Sequence, residues 1–126
     1  MAEIVLKDDA FLVSETNPKG VITFANDEFI KISGFSKGEL LGKPHNIVRH
    51  PDMPKAAFAD LWQTIKSGKT WTGFVKNRAK NGDFYWVYAT VTPTKGCDGS
   101  PSYLSSRKKA SPAEIAEAEA LYRTLN

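Results

Sequence analysis

The runs Trp71-Thr72-Gly73-Phe74-Val75 and Phe84-Tyr85-Trp86-Val87-Tyr88-Ala89-Thr90-Val91 are dense in aromatic and β-branched residues, and Asn81-Gly82 lies between them. Such side chains suit a pleated, half-buried surface. An Asn-Gly pair tolerates the positive φ of a tight turn. The stretch therefore reads as a long hairpin joined at Asn81-Gly82. Beyond it, residues 102–107 read as one more strand.

Working outward, Ala57, Phe58, Leu61, Trp62 and Ile65 recur at helical spacing and Ser67-Gly68 supplies a stop, so residues 54–66 form the one substantial internal helix. Its apolar face needs a sheet to pack on. On the other side, Ser111-Pro112-Ala113-Glu114 combines an N-cap, a proline at the first helical position and a capping-box glutamate. Ile115, Ala118, Leu121 and Tyr122 follow on one stripe, which predicts an amphipathic C-terminal helix.

Near the N-terminus, residues 11–16 and 21–24 are β-prone and flank Asn17-Pro18-Lys19-Gly20, a second turn. Asn26-Asp27 offers N-cap chemistry before Phe29, Ile30 and Ile32, and Ser36-Lys37-Gly38-Glu39 is a capping-box pattern. Residues 43–54 hold three prolines and both histidines without a sustained period. The order is strand, strand, small helical pieces, one longer helix, three strands, helix. That is an α+β arrangement whose sheet is covered mainly on one face, with a pocket between its concave face and the central helices.

Bulk composition narrows the function. At 126 residues with 41% apolar content, one domain with one core is expected. A net charge of +3 with a single short basic run, Arg107-Lys108-Lys109, gives no footprint for nucleic acid. The run reads as the solvated face of an edge strand, where lysines block unwanted pairing. Cys97 is the only cysteine, so no internal disulfide forms, no zinc spacing exists, and the residue reads as a surface thiol in a reducing cytosol. Leader, membrane-spanning and catalytic patterns are absent from the sequence, so a soluble, non-enzymatic domain without direct membrane insertion is expected.

The segment Val48-Arg49-His50-Pro51-Asp52-Met53-Pro54-Lys55-Ala56-Ala57-Phe58 resembles the signature of the PAS domains of aerotaxis-type chemoreceptors. So do Ala25-Asn26-Asp27, Gly42-Lys43-Pro44-His45-Asn46, Trp71-Thr72-Gly73 and Lys76-Asn77-Arg78. The resemblance implies a PAS fold: a five-stranded antiparallel sheet, short helices on one face, and a C-terminal helix. It divides the chain into an N-terminal segment (1–10), a sensory domain (11–109) and a helix leading to a signalling linker (110–126). It also implies non-covalent FAD, sensing of redox or oxygen-linked energy state, and downstream signalling domains of the same receptor as partners. Homodimerisation is left open. The location implied is cytoplasmic, and attachment of the parent receptor to the inner membrane is left open.

Carried over residue by residue, the resemblance places Asn26, Arg49, His50, Asp52, Phe58, Trp62, Trp71 and Asn77 near the cofactor. Each has a structural alternative. Arg49, His50 and Asp52 supply a cation, an imidazole and an anion for a phosphate or ring edge, or Asp52 caps the following helix and pairs with Arg49. Asn26 and Asn77 suit the mixed donor and acceptor edge of a flavin, or Asn26 is a helix cap. Trp62, Trp71 and Phe58 stack on a ring or fill the core. Two other functions stay open: a haem-binding oxygen sensor, with His45 or His50 as axial ligand although neither lies on the long helix, and a cofactor-free dimerisation module.

Overall fold

The computed structural model describes residues 2–96 and 98–125. Cys97, read above as a surface thiol, lies outside them. Strands β1 (Leu12–Thr16) and β2 (Ile22–Ala25) form the first hairpin. Helices α1 (Asp27–Ser33) and α2 (Lys37–Leu40), a single 3-10 turn (His45–Val48) and helix α3 (Lys55–Lys66) follow. Strands β3 (Trp71–Arg78), β4 (Phe84–Lys95) and β5 (Pro101–Lys109) precede helix α4 (Pro112–Arg123). The strands make one antiparallel sheet in the order β2-β1-β5-β4-β3.

The caps form as the sequence chemistry dictates. Asn26 accepts from the Phe29 amide at 3.0 Å, and Ser36/Glu39 and Ser111/Glu114 both close capping boxes. The β3–β4 hairpin is joined through Asn81-Gly82, as the sequence predicts, in a three-residue loop. Ala79 N–H donates to Asp83 O (2.7 Å) and Gly82 N–H to Ala79 O (2.9 Å), with only Gly82 at positive φ (93°). Asn81 folds its side chain onto Asp83, accepting from the Asp83 amide at 2.9 Å, and Gly82 takes the left-handed position of the loop.

Strand β5 is the middle strand and not an edge, which overturns the reading of its basic run as a solvated edge. Alternation across a central strand sends Arg107 to the concave face, where it is 2% exposed, while Lys108 is exposed and Lys109 pairs with Asp8 at 3.0 Å. The main core lies between the concave face and α1–α3, with Leu12, Phe29, Leu40, Tyr85 and Val87 fully buried. Each such side chain contributes about 1.5–3 kcal/mol when removed from water. On the opposite face α4 covers Trp86 through Ala118, Ile115 and Tyr122. The N-terminal segment is tied in as well: Leu6 and Ala10 join the core, and Ile4 N–H donates to Phe84 O at 2.7 Å.

The irregular centre of the chain has a definite course. Residues 42–53 run from one sheet edge to the other. At the β2 edge, Gly42 N–H donates to Ile22 O, Ile22 N–H to Lys43 O and His45 N–H to Gly20 O, each at 2.9 Å. At the β3 edge, Arg49 pairs with Asn77 in an antiparallel bridge, and the Lys76 amide donates to the Met53 sulfur at 3.3 Å. One strap thereby satisfies backbone groups on both edge strands and closes the concave face.

Candidate functional site

Between the strap, α3 and the concave sheet lies a cleft of about 270 Å³. Period-2 alternation supplies its floor: Thr16 from β1, Val75 and Asn77 from β3, Ala89 and Val91 from β4, and Tyr103, Ser105 and Arg107 from β5. Helix α3 contributes Phe58, Leu61, Trp62 and Ile65, the strap Pro44, His45, Asn46 and Arg49, and the β1–β2 turn Lys19 and Gly20. Trp62 meets Tyr103 edge-on with ring centroids 5.8 Å apart and packs on Gly20, where a Cβ would approach its ring to 3.1 Å. That turn therefore needs glycine both for this contact and for its φ of 82°.

Four of the eight sequence-predicted residues, Arg49, Phe58, Trp62 and Asn77, meet in this cleft. The other four stand outside it, each engaged elsewhere. Asn26 uses its whole amide on the backbone: Oδ1 accepts from Val13 and Phe29 amides, both at 3.0 Å, and Nδ2 donates to Phe11 O at 2.8 Å. It is a helix cap that also pins β1. Trp71 is 7% exposed in the core, and its indole N–H donates to Asp60 Oδ2 at 2.9 Å. Its ring lies along its own strand, so close to Gly73 that a Cβ there would fall 2.5 Å from it.

His50 and Asp52 turn away from the cleft. His50 Nδ1 accepts from the Asp52 amide at 3.0 Å, and its ring meets Phe84 edge-on at 6.2 Å. Asp52 neither caps α3, whose N-cap is Pro54 without a side-chain bond, nor pairs with Arg49. Its carboxylate takes Lys76 Nζ at 2.8 Å, and that hydrogen bond draws its pKa down. The three polar site candidates of the central signature thus divide: Arg49 faces in, His50 and Asp52 face out.

The polar lining that sequence reasoning missed centres on Arg107. Its NH2 donates to Ser14 Oγ at 2.9 Å and its NH1 to Ser105 Oγ at 2.6 Å, and the guanidinium sits 4.4 Å over the Phe29 ring. Among the described residues no carboxylate pairs with it. Burial draws its pKa down to about 10, so it stays charged at neutral pH. Ser14 Oγ is also 2.8 Å from His45 Nε2, which lies 3.4 Å from Arg107 NH1. Burial, then the charge of Arg107, holds His45 down to about 3, hence neutral. With an obligate donor beside it, Nε2 carries the lone pair, and the chain runs Arg107 to Ser14 to His45.

Among the described residues three buried polar side-chain atoms have no hydrogen-bond partner: Arg49 Nε, Arg107 Nε and the Tyr85 hydroxyl. Burial pushes Tyr85 up to about 12, against the opposing influence of Arg107 and Asn77. Arg49 itself lies 3.7 Å over the Phe58 ring, a cation–π contact at the cleft wall. The cleft therefore offers apolar walls, aromatic rings, and cationic or amide donors with no carboxylate in its lining. Such a site favours a flat, acceptor-rich, negatively charged ligand. Only the strand order reveals Arg107, because nothing local distinguishes a central polar strand from an edge.

His45 gives the domain a pH signature. Free histidine titrates near 6.5, and in the fold this ring stays neutral to about 3, so below pH 6.5 the unfolded chain binds a proton that the folded chain does not. Stability must fall as pH falls, by at most about 1.4 kcal/mol per unit. Between pH 6.5 and about 5.5, before Glu39 with its lowered carboxyl begins to contribute, this slope belongs to His45 with a share from His50, which burial also shifts down. Urea unfolding at stepped pH should show the slope, and His45→Gln should flatten most of it. An unchanged slope in that variant would contradict the assignment.

Comparison with known proteins agrees with this fold. Residues 22–106 match the family model described as PAS fold. The chain is 53% identical over 96% of its length to the aerotaxis receptor of Escherichia coli K12, of which it spans 24%. It is 28% identical over 79% of its length to a nitrogen fixation regulatory protein of Klebsiella pneumoniae, of which it spans 20%. Among solved structures, the dark structure of the blue-light photoreceptor Aureochrome1 LOV superposes with a TM-score of 0.73 at 18% identity, covering 91% of this chain and 85% of that one.

Proposed function

The chain belongs to the PAS fold family, and from that premise we propose that this sensor domain holds FAD non-covalently in the cleft and serves an aerotaxis-type receptor. The observation that carries the reading is the lining itself. A buried, charged and carboxylate-free Arg107 shares a largely apolar cleft with Arg49, Asn77 and Lys19. An uncompensated buried cation costs stability, and its retention fits a ligand that brings acceptors or negative charge. The partnerless Nε atoms of Arg49 and Arg107 have the donor chemistry a flavin ring edge or phosphate would take up.

When bound, a flavin supplies reversible electron uptake accompanied by a change in which edge atoms donate or accept protons. The chain's own part is to respond. Asn77 presents an amide that can turn from donor to acceptor, and the Arg107–Ser14–His45 chain holds fixed donors against the β5 floor. Only a different interaction with the two ligand states can shift a two-state equilibrium. We place the output in α4 and in the sequence that follows it in a longer receptor. Cytoplasmic location, the absence of catalysis and the coupling to downstream domains belong to the same proposal. Among the described residues no helix is long and apolar enough to cross a membrane.

A haem reading draws less support from the site. His50 lies outside the cleft, and the Nε2 of His45 is engaged by Ser14. Titrating ligand-free protein with FAD, followed by flavin fluorescence, should give saturable one-to-one binding in the wild type. Ala89→Phe, which fills the floor, should lose at least tenfold in affinity while its folded spectrum persists. Equal binding by the two proteins would place the ligand elsewhere.

A further inference from the structure

The outward half of the central signature has no partner in the cleft, yet it is held by a compact set of contacts. Asp52 binds Lys76 Nζ at 2.8 Å, and Lys76 is only 13% exposed, with its ammonium 4.6 Å over the Phe84 ring. His50 packs its edge on that same ring, and Met53 sulfur receives the Lys76 amide. Lys76 and Asn77 are successive residues of β3, so their side chains take opposite faces. Asn77 enters the cleft and bridges the backbone of Arg49, while Lys76 meets the strap from outside.

We propose that Asp52 and Lys76 form a clasp that positions Arg49 in the cleft, making them positioning residues for ligand binding although neither touches the ligand. The physical route is short. The strap is fixed at the β2 edge by three backbone bonds; at its β3 end, besides the buried Val48 and Met53 side chains and the Arg49–Phe58 and His50–Phe84 contacts, its polar ties are one isolated bridge, one thioether contact and this ion pair. With the clasp open, Arg49 keeps its bridge to Asn77 and its contact with Phe58 but the strap after it has one tie fewer, and the binding-competent state is only fractionally populated. Apparent affinity then falls by that fraction. Asp52 is 66% exposed while Lys76 sits largely out of water over an aromatic face, so the pair lies at the upper end of what a surface bridge contributes and its loss should lower affinity about fivefold.

The inference rests on the FAD reading for its affinity readout, and a second readout keeps the two apart. In the 126-residue chain, Asp52→Asn and Lys76→Met should each weaken FAD binding about fivefold. The double variant should be no worse than either single one, because both remove one interaction. Lys76→Arg, which keeps the charge, should stay within about twofold of wild type. Amide exchange of residues 45–53 in ligand-free protein should quicken by a similar factor in the two neutral variants and not in Lys76→Arg. Unaltered affinity in Asp52→Asn, or losses that add in the double variant, would overturn the clasp. If wild-type protein binds no FAD, the cofactor reading fails by itself. Exchange of the strap then decides the clasp: faster in both neutral variants upholds it, unchanged refutes it.

Discussion

Arg107→Met should leave the ligand-free domain as stable as wild type or about 1 kcal/mol more stable, and should cost at least about tenfold in FAD affinity. The two effects have opposite signs for one reason. Arg107 is a cation on the inner face of the central strand, 2% exposed, with two serine hydroxyls and a phenyl ring for company and no carboxylate. Desolvation draws its pKa from 12.5 to about 10, which is the fold's penalty for keeping it charged. Methionine fills similar volume without that penalty, although Ser14 and Ser105 lose a donor. Any ligand acceptor that faces the guanidinium gains a charge-assisted bond worth about 1.5–3 kcal/mol, and methionine removes it. Thermal melting of ligand-free protein and a flavin titration measure the two halves separately. A variant that is destabilised yet binds FAD like wild type would make Arg107 a brace of β1 and β5 and no ligand contact.

The largest loss of stability is expected at Trp71. Trp71→Ala removes a 7% exposed indole from the core beside Val75 and Val91 and breaks its bond to Asp60, which links α3 to β3. Truncating such a side chain costs about 3–5 kcal/mol, a large part of the 5–15 kcal/mol that holds an ordinary domain together. The backbone cannot collapse far to refill the space, because Gly73 already lies under the ring. Trp71→Phe keeps most of the packing and forfeits the indole bond, so about 1–2 kcal/mol is expected. Urea unfolding gives both values. Because Trp71 stands outside the cleft, the phenylalanine variant should keep its FAD affinity within about twofold. A tenfold loss at unchanged stability would return this ring to the ligand site.

Most of the fold is legible in the sequence where local chemistry decides it. Ser36 with Glu39 and Ser111 with Glu114 announce helix starts, and the stripe from Ala57 to Ile65 announces α3. Asn17 folds the first hairpin by accepting from the Lys19 and Val21 amides at 2.9 and 3.1 Å, a local bond that any reading of turn chemistry anticipates. The strand order is a different matter. It depends on which non-local pairs win, and Arg107 changes from a solvated edge residue to the buried centre of the site once β5 is placed between β1 and β4. Similarly, nothing periodic marks residues 42–53, because their regularity is long-range: each end is held by another strand's edge.

The candidate site was half legible for the same reason. Arg49 and Asn77 share a bridge, Phe58 and Trp62 share a helical turn, and all four reach the cleft. Adjacent positions in the sequence gave no warning that Arg49 and Asp52 would face opposite sides of the strap. Asn26 shows the limit from another direction. Its residue type fits a flavin edge and a helix cap equally well, and only the three backbone bonds it makes decide for the cap.

The most direct test is the visible absorption spectrum of the wild-type chain purified from a flavin-replete cytosol, followed by heat release of its chromophore. Flavin absorption with close to one equivalent of FAD freed into solution is the predicted result. Colourless protein that also refuses added FAD on refolding, or a spectrum dominated by haem, would contradict it.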